Sequence, residues 1–209
     1  MKLQINNMLK NVVLLTVLIV ANYCCIAQVK FGITAGAQIS SIKLENVNTD
    51  TRLSFNAGGA MNATLQESIY LHLQLIASGK GYTIYDSYGN KNIFRPMYLE
   101  LPLTFRFKFN STSDTKIFLG AGGYYAFGIG GSKIYYDNGY KSTEKINYGS
   151  TIDDDLTSTD AGLVFELGAV WRENYEGHFF YDMGIKTISP FSTSNVSNRV
   201  FGFNLTWYF

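Results

Sequence analysis

Residues Arg199 to Phe209 read R-V-F-G-F-N-L-T-W-Y-F. Phe201, Phe203, Leu205, Trp207 and Phe209 share one parity, and Val200, Gly202, Asn204, Thr206 and Tyr208 share the other. Side chains alternate faces along a strand, so one face is aromatic or aliphatic throughout and the other small or polar. A pattern that runs to the last residue predicts a strand that closes against the first one, because ring closure is what removes the edges of a sheet. The rest of the chain must then supply the remaining strands.

Seven further segments carry the same alternation. Val29 to Ser40 sets Val29, Phe31 and Ile33 against Lys30, Gly32 and Thr34. Leu53 to Leu65 and the segment from Ile69 to Lys80 follow. Met97 to Phe109 is the clearest, with Leu99, Leu101, Leu103, Phe105 and Phe107 opposite Tyr98, Glu100, Pro102, Thr104 and Arg106. Ile117 to Gly130, Leu163 to Arg172 and Phe179 to Lys186 complete the set. Runs this long exceed the ~5–6 residues usual in soluble sheets and suit the ~9–11 of a tilted strand crossing a bilayer. Connections alternate too. Gln66–Ser68, Asn110–Lys116 and Glu173–Gly177 are short, whereas Ser41–Arg52, Gly81–Arg95, Gly131–Thr159 and Ser189–Arg199 are long and polar. Tight turns at one end and longer loops at the other are the habit of outer-membrane barrels. The expected fold is all-β: an eight-stranded antiparallel up-and-down transmembrane β-barrel over residues 28–209.

Composition agrees. Of 209 residues 46% are hydrophobic, 15% aromatic and only 16% charged, and twenty glycines outnumber three prolines, which favours strands over helices. A net charge of +1 without a basic cluster excludes a nucleic-acid surface. Residues 1–27 read as a cleaved signal peptide: Lys2 and Lys10, an apolar run from Val12 to Ala21, then Cys25-Ile26-Ala27 before Gln28. That run is too short for the ~20 residues of a spanning helix. Asn22-Tyr23 before Cys24 is a poor lipidation context. Cleavage after Ala27 removes both cysteines and two lysines, leaving fifteen basic against sixteen acidic residues and a charge of −1. Stability must then come from strand pairing and packing, without disulfides.

The charges on these strands assign the faces. An Arg or Lys facing the hydrocarbon midplane costs roughly 2–4 kcal/mol, so Glu100, Arg106, Glu166, Asp182 and Lys186 are expected to point inward. Eight strands enclose only enough room for side chains. These five are therefore expected to pair in a polar core that plugs the lumen.

The opening F-G-I-T-A-G-A-Q (31–38), the strand Y-L-E-L-P-L-T-F-R-F-K-F (98–109), F-L-G-A-G-G-Y-Y (118–125) and the final strand ending in Phe209 resemble the PorT-type outer-membrane β-barrel proteins of the Bacteroidetes. Tyr98-Leu99-Glu100-Leu101-Pro102-Leu103 is the most specific piece. The resemblance implies an eight-stranded barrel surrounded by outer-membrane lipid. It also implies insertion by the barrel-assembly machinery through the C-terminal strand, in which position 205 is Leu205. The name-giving member serves a protein-secretion system, so envelope or secretion-complex proteins are the partners it suggests.

Other chemistry has weaker support in the sequence. His72 lies on the inward face and His178 beside the Glu173–Gly177 turn, both away from the outer leaflet where a lipid-modifying enzyme would act. Asp153-Asp154-Asp155 lacks the spacing of a calcium loop and reads as a solvated acidic loop. Gly128–Lys133 lacks the spacing of a phosphate loop. Trp171, Tyr181, Trp207 and Tyr208 read as interfacial or packing aromatics. No cofactor, metal or catalytic residue is expected. The reading is a non-enzymatic barrel whose exposed loops carry any binding. A narrow channel is the first alternative, followed by a lipid enzyme and a soluble lipocalin-type barrel.

Overall fold

The computed structural model describes residues 28–43, 49–85, 90–110, 114–137, 140–151, 153–190 and 196–209; the signal segment read in residues 1–27 lies outside them. Its strands are β1 (Val29–Lys43), β2 (Thr49–Gln66), β3 (Ile69–Gly79), β4 (Tyr82–Tyr85), β5 (Lys91–Asn110), β6 (Thr115–Asp137), β7 (Tyr140–Lys145), β8 (Thr159–Trp171), β9 (Tyr175–Gly184) and β10 (Ser197–Tyr208). Eight of them form the ring β1-β2-β3-β5-β6-β8-β9-β10, every pair antiparallel. The seam closes as the terminal pattern requires, with Ala35 opposite Leu205 and Ala37 opposite Phe203. Gln28, Phe209 and the three short turns lie at one end, here the inner end.

β4 and β7 are additions at the other, outer end. β4 bridges β2 and β5 beyond the end of β3, and β7 folds back along the tip of β6. The long connections Gly81–Arg95 and Gly131–Thr159, expected as loops, are therefore largely strand. Above the lipid a ladder needs no apolar face, so aromatic and β-branched residues such as Tyr82-Thr83-Ile84-Tyr85 pair without showing hydrophobic alternation. A bulge between Met97 and Tyr98 of β5, opposite Gly128 and Gly130, marks the start of this projection. Gly131 sits there at φ 134°, where a Cβ would come within 2.4 Å of the Arg95 carbonyl oxygen, so only glycine fits.

The apolar parity faces outward around the ring. Phe55 is 68% exposed, Phe105 59% and Leu205 62%, an arrangement that water would penalise and lipid tails would accept. Phe105→Arg should therefore destabilise the barrel by about 2–4 kcal/mol in a bilayer. Urea unfolding in lipid vesicles measures this, with Thr104→Ser as the inward control.

Over the outer mouth lies a separate apolar lid. Ile42, Tyr82, Ile146, Leu156 and Ile188 are buried together there, with Phe94 and Tyr148 against them. Tyr82 and Phe94 stack with centroids 4.9 Å apart. Each of the four outer connections contributes to this lid or packs at its edge.

Candidate functional site

Inward positions carry polar side chains because each strand's second parity must fill a narrow lumen shielded from lipid. They settle into layers. Near the inner third, Arg106 of β5 donates from Nε to Glu166 at 2.7 Å and from Nη1 to both oxygens of Glu176 at 2.8 and 2.9 Å. Thr104 donates to Glu166 at 2.8 Å, and the Tyr208 hydroxyl donates to Glu176 at 3.1 Å. His178 Nδ1 lies 2.9 Å from Glu176, and His72 Nδ1 lies 3.7 Å from Glu166. The two imidazoles meet edge to face at 6.0 Å, and the guanidinium rests 4.3 Å above the Phe118 ring. Gly120 is what admits this cluster. A Cβ there would lie 2.9 Å from the Glu166 carboxylate and 3.0 Å from Arg106 Cγ.

A second layer lies nearer the outer end. Lys80 Nζ sits 2.6 Å from Glu100 and 3.3 Å from Asp160, and 4.3 Å over the Tyr124 ring. Tyr124 and Asn198 both donate to Asp160, at 3.0 and 2.8 Å. Beside this layer, Gln38 donates to Ser78 at 3.0 Å and to the Gly79 carbonyl at 2.9 Å, and accepts from Asn56 at 2.8 Å. A void of about 10 Å³ beside Gln74, Glu100, Asp182 and Asn204 is the size of a single water molecule.

Of the five charges read as inward, Glu100, Arg106, Glu166 and Asp182 are buried in the lumen. Arg106 pairs with Glu166, whereas Glu100 belongs to the other layer and Asp182 enters no ion pair among the described residues. Lys186 requires a correction. It lies past the end of β9, where the strand alternation has stopped, and is exposed with its amine on the Thr159 hydroxyl. Lys80 does the work expected of it. Lys80 fell on the inward parity of the third segment but was not counted among the core charges. Asp160 and Glu176 were missed because each lay ahead of its segment in the sequence reading, Glu176 inside a connection. The alternation carried three residues further, from Leu163 back to Asp160 and from Phe179 back to Glu176, would have found both. His178 is likewise inside the lumen and not beside the turn, since β9 starts at Tyr175. Tyr208 is inward and hydrogen-bonded, not interfacial, whereas Trp171 and Trp207 do face outward.

The aspartate run holds its own loop together. Asp154 accepts from the Thr151 amide at 2.8 Å and from its hydroxyl, and Asp155 binds Lys133 at 2.7 Å. The Thr151 hydroxyl and amide hold the Asp154 carboxyl below the usual carboxylate range. A depressed folded pKa means that its contribution is present above the unfolded value and is lost as pH falls through the folded one. The Thr151 amide resonance should accordingly move only as pH drops below the ordinary Asp range, and should do so at once in Asp154→Ala. Gly128, the first residue of the glycine-rich stretch, lies beneath the Tyr148 ring.

Residues 24–188 match the family model described as the outer membrane protein beta-barrel domain. Among solved structures the chain is similar to OprG of Pseudomonas aeruginosa, at 13% identity over 88% of this chain and 95% of that one, with a TM-score of 0.49. It is also similar to the attachment invasion locus protein Ail of Yersinia pestis, at 10% identity over 86% and 98%, TM-score 0.46. Neisserial surface protein A is similar at 14% identity over 86% and 97%, TM-score 0.45. No curated protein matches the sequence.

Proposed function

The chain belongs to the outer membrane protein beta-barrel domain family, and from that premise we propose that it is a non-enzymatic scaffold whose outer connections carry its binding. The observation that supports this reading is the filled lumen: two layers of paired charge beneath an apolar lid, with room left for about one water molecule. A path for solutes would require at least one layer to part, which strips buried charges of their partners. What remains for interaction is the outer projection, where all of β7 is exposed. The resemblance to PorT-type barrels adds an envelope or secretion complex as the class of partner, and outer-membrane lipid and the barrel-assembly machinery as the surroundings.

Flux through reconstituted vesicles tests the reading. Wild-type protein should release no small solute, and Glu100→Gln should leave that unchanged. Saturable solute release by the wild type, altered by Glu100→Gln, would instead identify a narrow channel.

A further inference from the structure

We infer that the inner mouth of the barrel is a binding site for a small oxyanion of the phosphate type. The mouth is a polar vestibule of about 280 Å³ into which Lys30, Lys108, Lys116, Glu67, Glu173 and Tyr70 project. Three ammonium groups face two carboxylates, an excess of one positive charge. The partners are unevenly shared. Lys30 and Lys116 both reach the single carboxylate of Glu173, at 3.1 and 3.3 Å. Glu173 is held out to them from a turn in which it and Arg172 adopt left-handed backbone, φ 62° and 48°.

Lys108 pairs with no carboxylate among the described residues. It is 8% exposed, and its Nζ lies 3.5 Å from the centroid of the Tyr70 ring. A ring face offsets part of the desolvation of a buried ammonium but supplies no hydrogen-bond acceptor. The vestibule is thus lined by a largely buried lysine whose amine offers up to three N–H groups and has space in front of it. A second orphan complements it: Asn62 Oδ1, also buried on this wall, has no donor. A monoprotonated phosphate supplies charged oxygens to the lysines and a hydroxyl to Asn62, which a simple carboxylate or chloride does not. That pairing of needs selects the class of anion.

Such a group could arrive as free phosphate or as the headgroup of a phospholipid in the adjoining leaflet, such as phosphatidylglycerol, whose phosphodiester has no hydroxyl of its own but whose glycerol hydroxyl can donate to Asn62 in its place. The test is titration of the refolded barrel with inorganic phosphate in uncharged detergent, read by calorimetry. One saturable site is expected, weakened on the order of tenfold or more by Lys108→Gln, because a charge-assisted bond is lost. Lys91→Gln, at the outer end, should leave it unchanged. Adding phosphatidylglycerol to the micelles separates the sources: competition identifies a headgroup, and unaltered binding identifies the free anion. Should Lys108→Gln fail to show the heat-modifiable gel shift of a folded barrel, the rim pair Lys30→Gln and Lys116→Gln serves instead. Absence of saturable binding, or equal binding by wild type and variant, overturns the site.

Discussion

Arg106→Met should destabilise the barrel by about 3–5 kcal/mol, the cost of leaving buried carboxylates without their cation. Its guanidinium serves Glu166 and Glu176 at once, from strands β8 and β9, so its removal strands two acids in a lumen that water reaches poorly. Methionine conserves much of the side-chain volume, which keeps the loss electrostatic rather than steric. The sign of the mechanism is tested by rescue. Arg106→Met combined with Glu166→Gln and Glu176→Gln should recover most of the stability, since the unpaired charge is then gone. Equilibrium unfolding in urea, followed by the fluorescence of Trp171 and Trp207, measures both. A single variant as stable as the wild type would mean that the layer is hydrated and not a plug.

Lys80→Met is the second large expectation, again about 3–5 kcal/mol. Lys80 is the one cation in contact with the outer layer among the described residues, within reach of Glu100 and Asp160 and near the uncompensated Asp182. The two variants differ in what they should do to the mouth. Lys80 follows β3 directly and lies under the lid, so its loss should also loosen the outer connections. Amide exchange should rise around Ile146 and Leu156 in Lys80→Met and stay at wild-type levels there in Arg106→Met. Lys80→Arg should restore charge but crowd the Tyr98 and Tyr124 rings, giving an intermediate stability.

Much of this arrangement could be read from the chain before any coordinates. The eight ring strands follow from parity alone, because lipid on one side and a narrow lumen on the other constrain every second residue. Leu205 facing out and Asn204 facing in is one instance, and the pairing of β10 with β1 follows from closure. The same rule turned Glu100, Arg106, Glu166 and Asp182 away from the apolar face, and all four side chains are buried. It failed at Lys186, where the strand has already ended and solvent accepts the charge. It put Lys80 on the inward parity of the third segment without counting it among the core charges, and Lys80 is buried although it lies just past Gly79 where β3 ends. Strand ends are where a two-residue period loses its authority: the backbone is no longer held by ladders on both sides. The outer projection was illegible for a related reason. Beyond the lipid, hydrogen bonding continues without hydrophobic contrast, so β4 and β7 leave no alternating signature. Which cation meets which acid was also out of reach, since that depends on the stagger between strands distant in sequence, such as β3 with β8.

The apolar lid has a consequence for how this surface can change over generations. Ile42, Tyr82, Ile146, Leu156 and Ile188 sit in or beside the outer connections, which are ordinarily the freest part of a barrel to vary. Here a substitution at any of those five positions would open the mouth, so they are bound to the interior as firmly as a ring strand. Variation is thereby funnelled to the positions that the lid does not use, with the exposed Tyr140–Lys145 foremost.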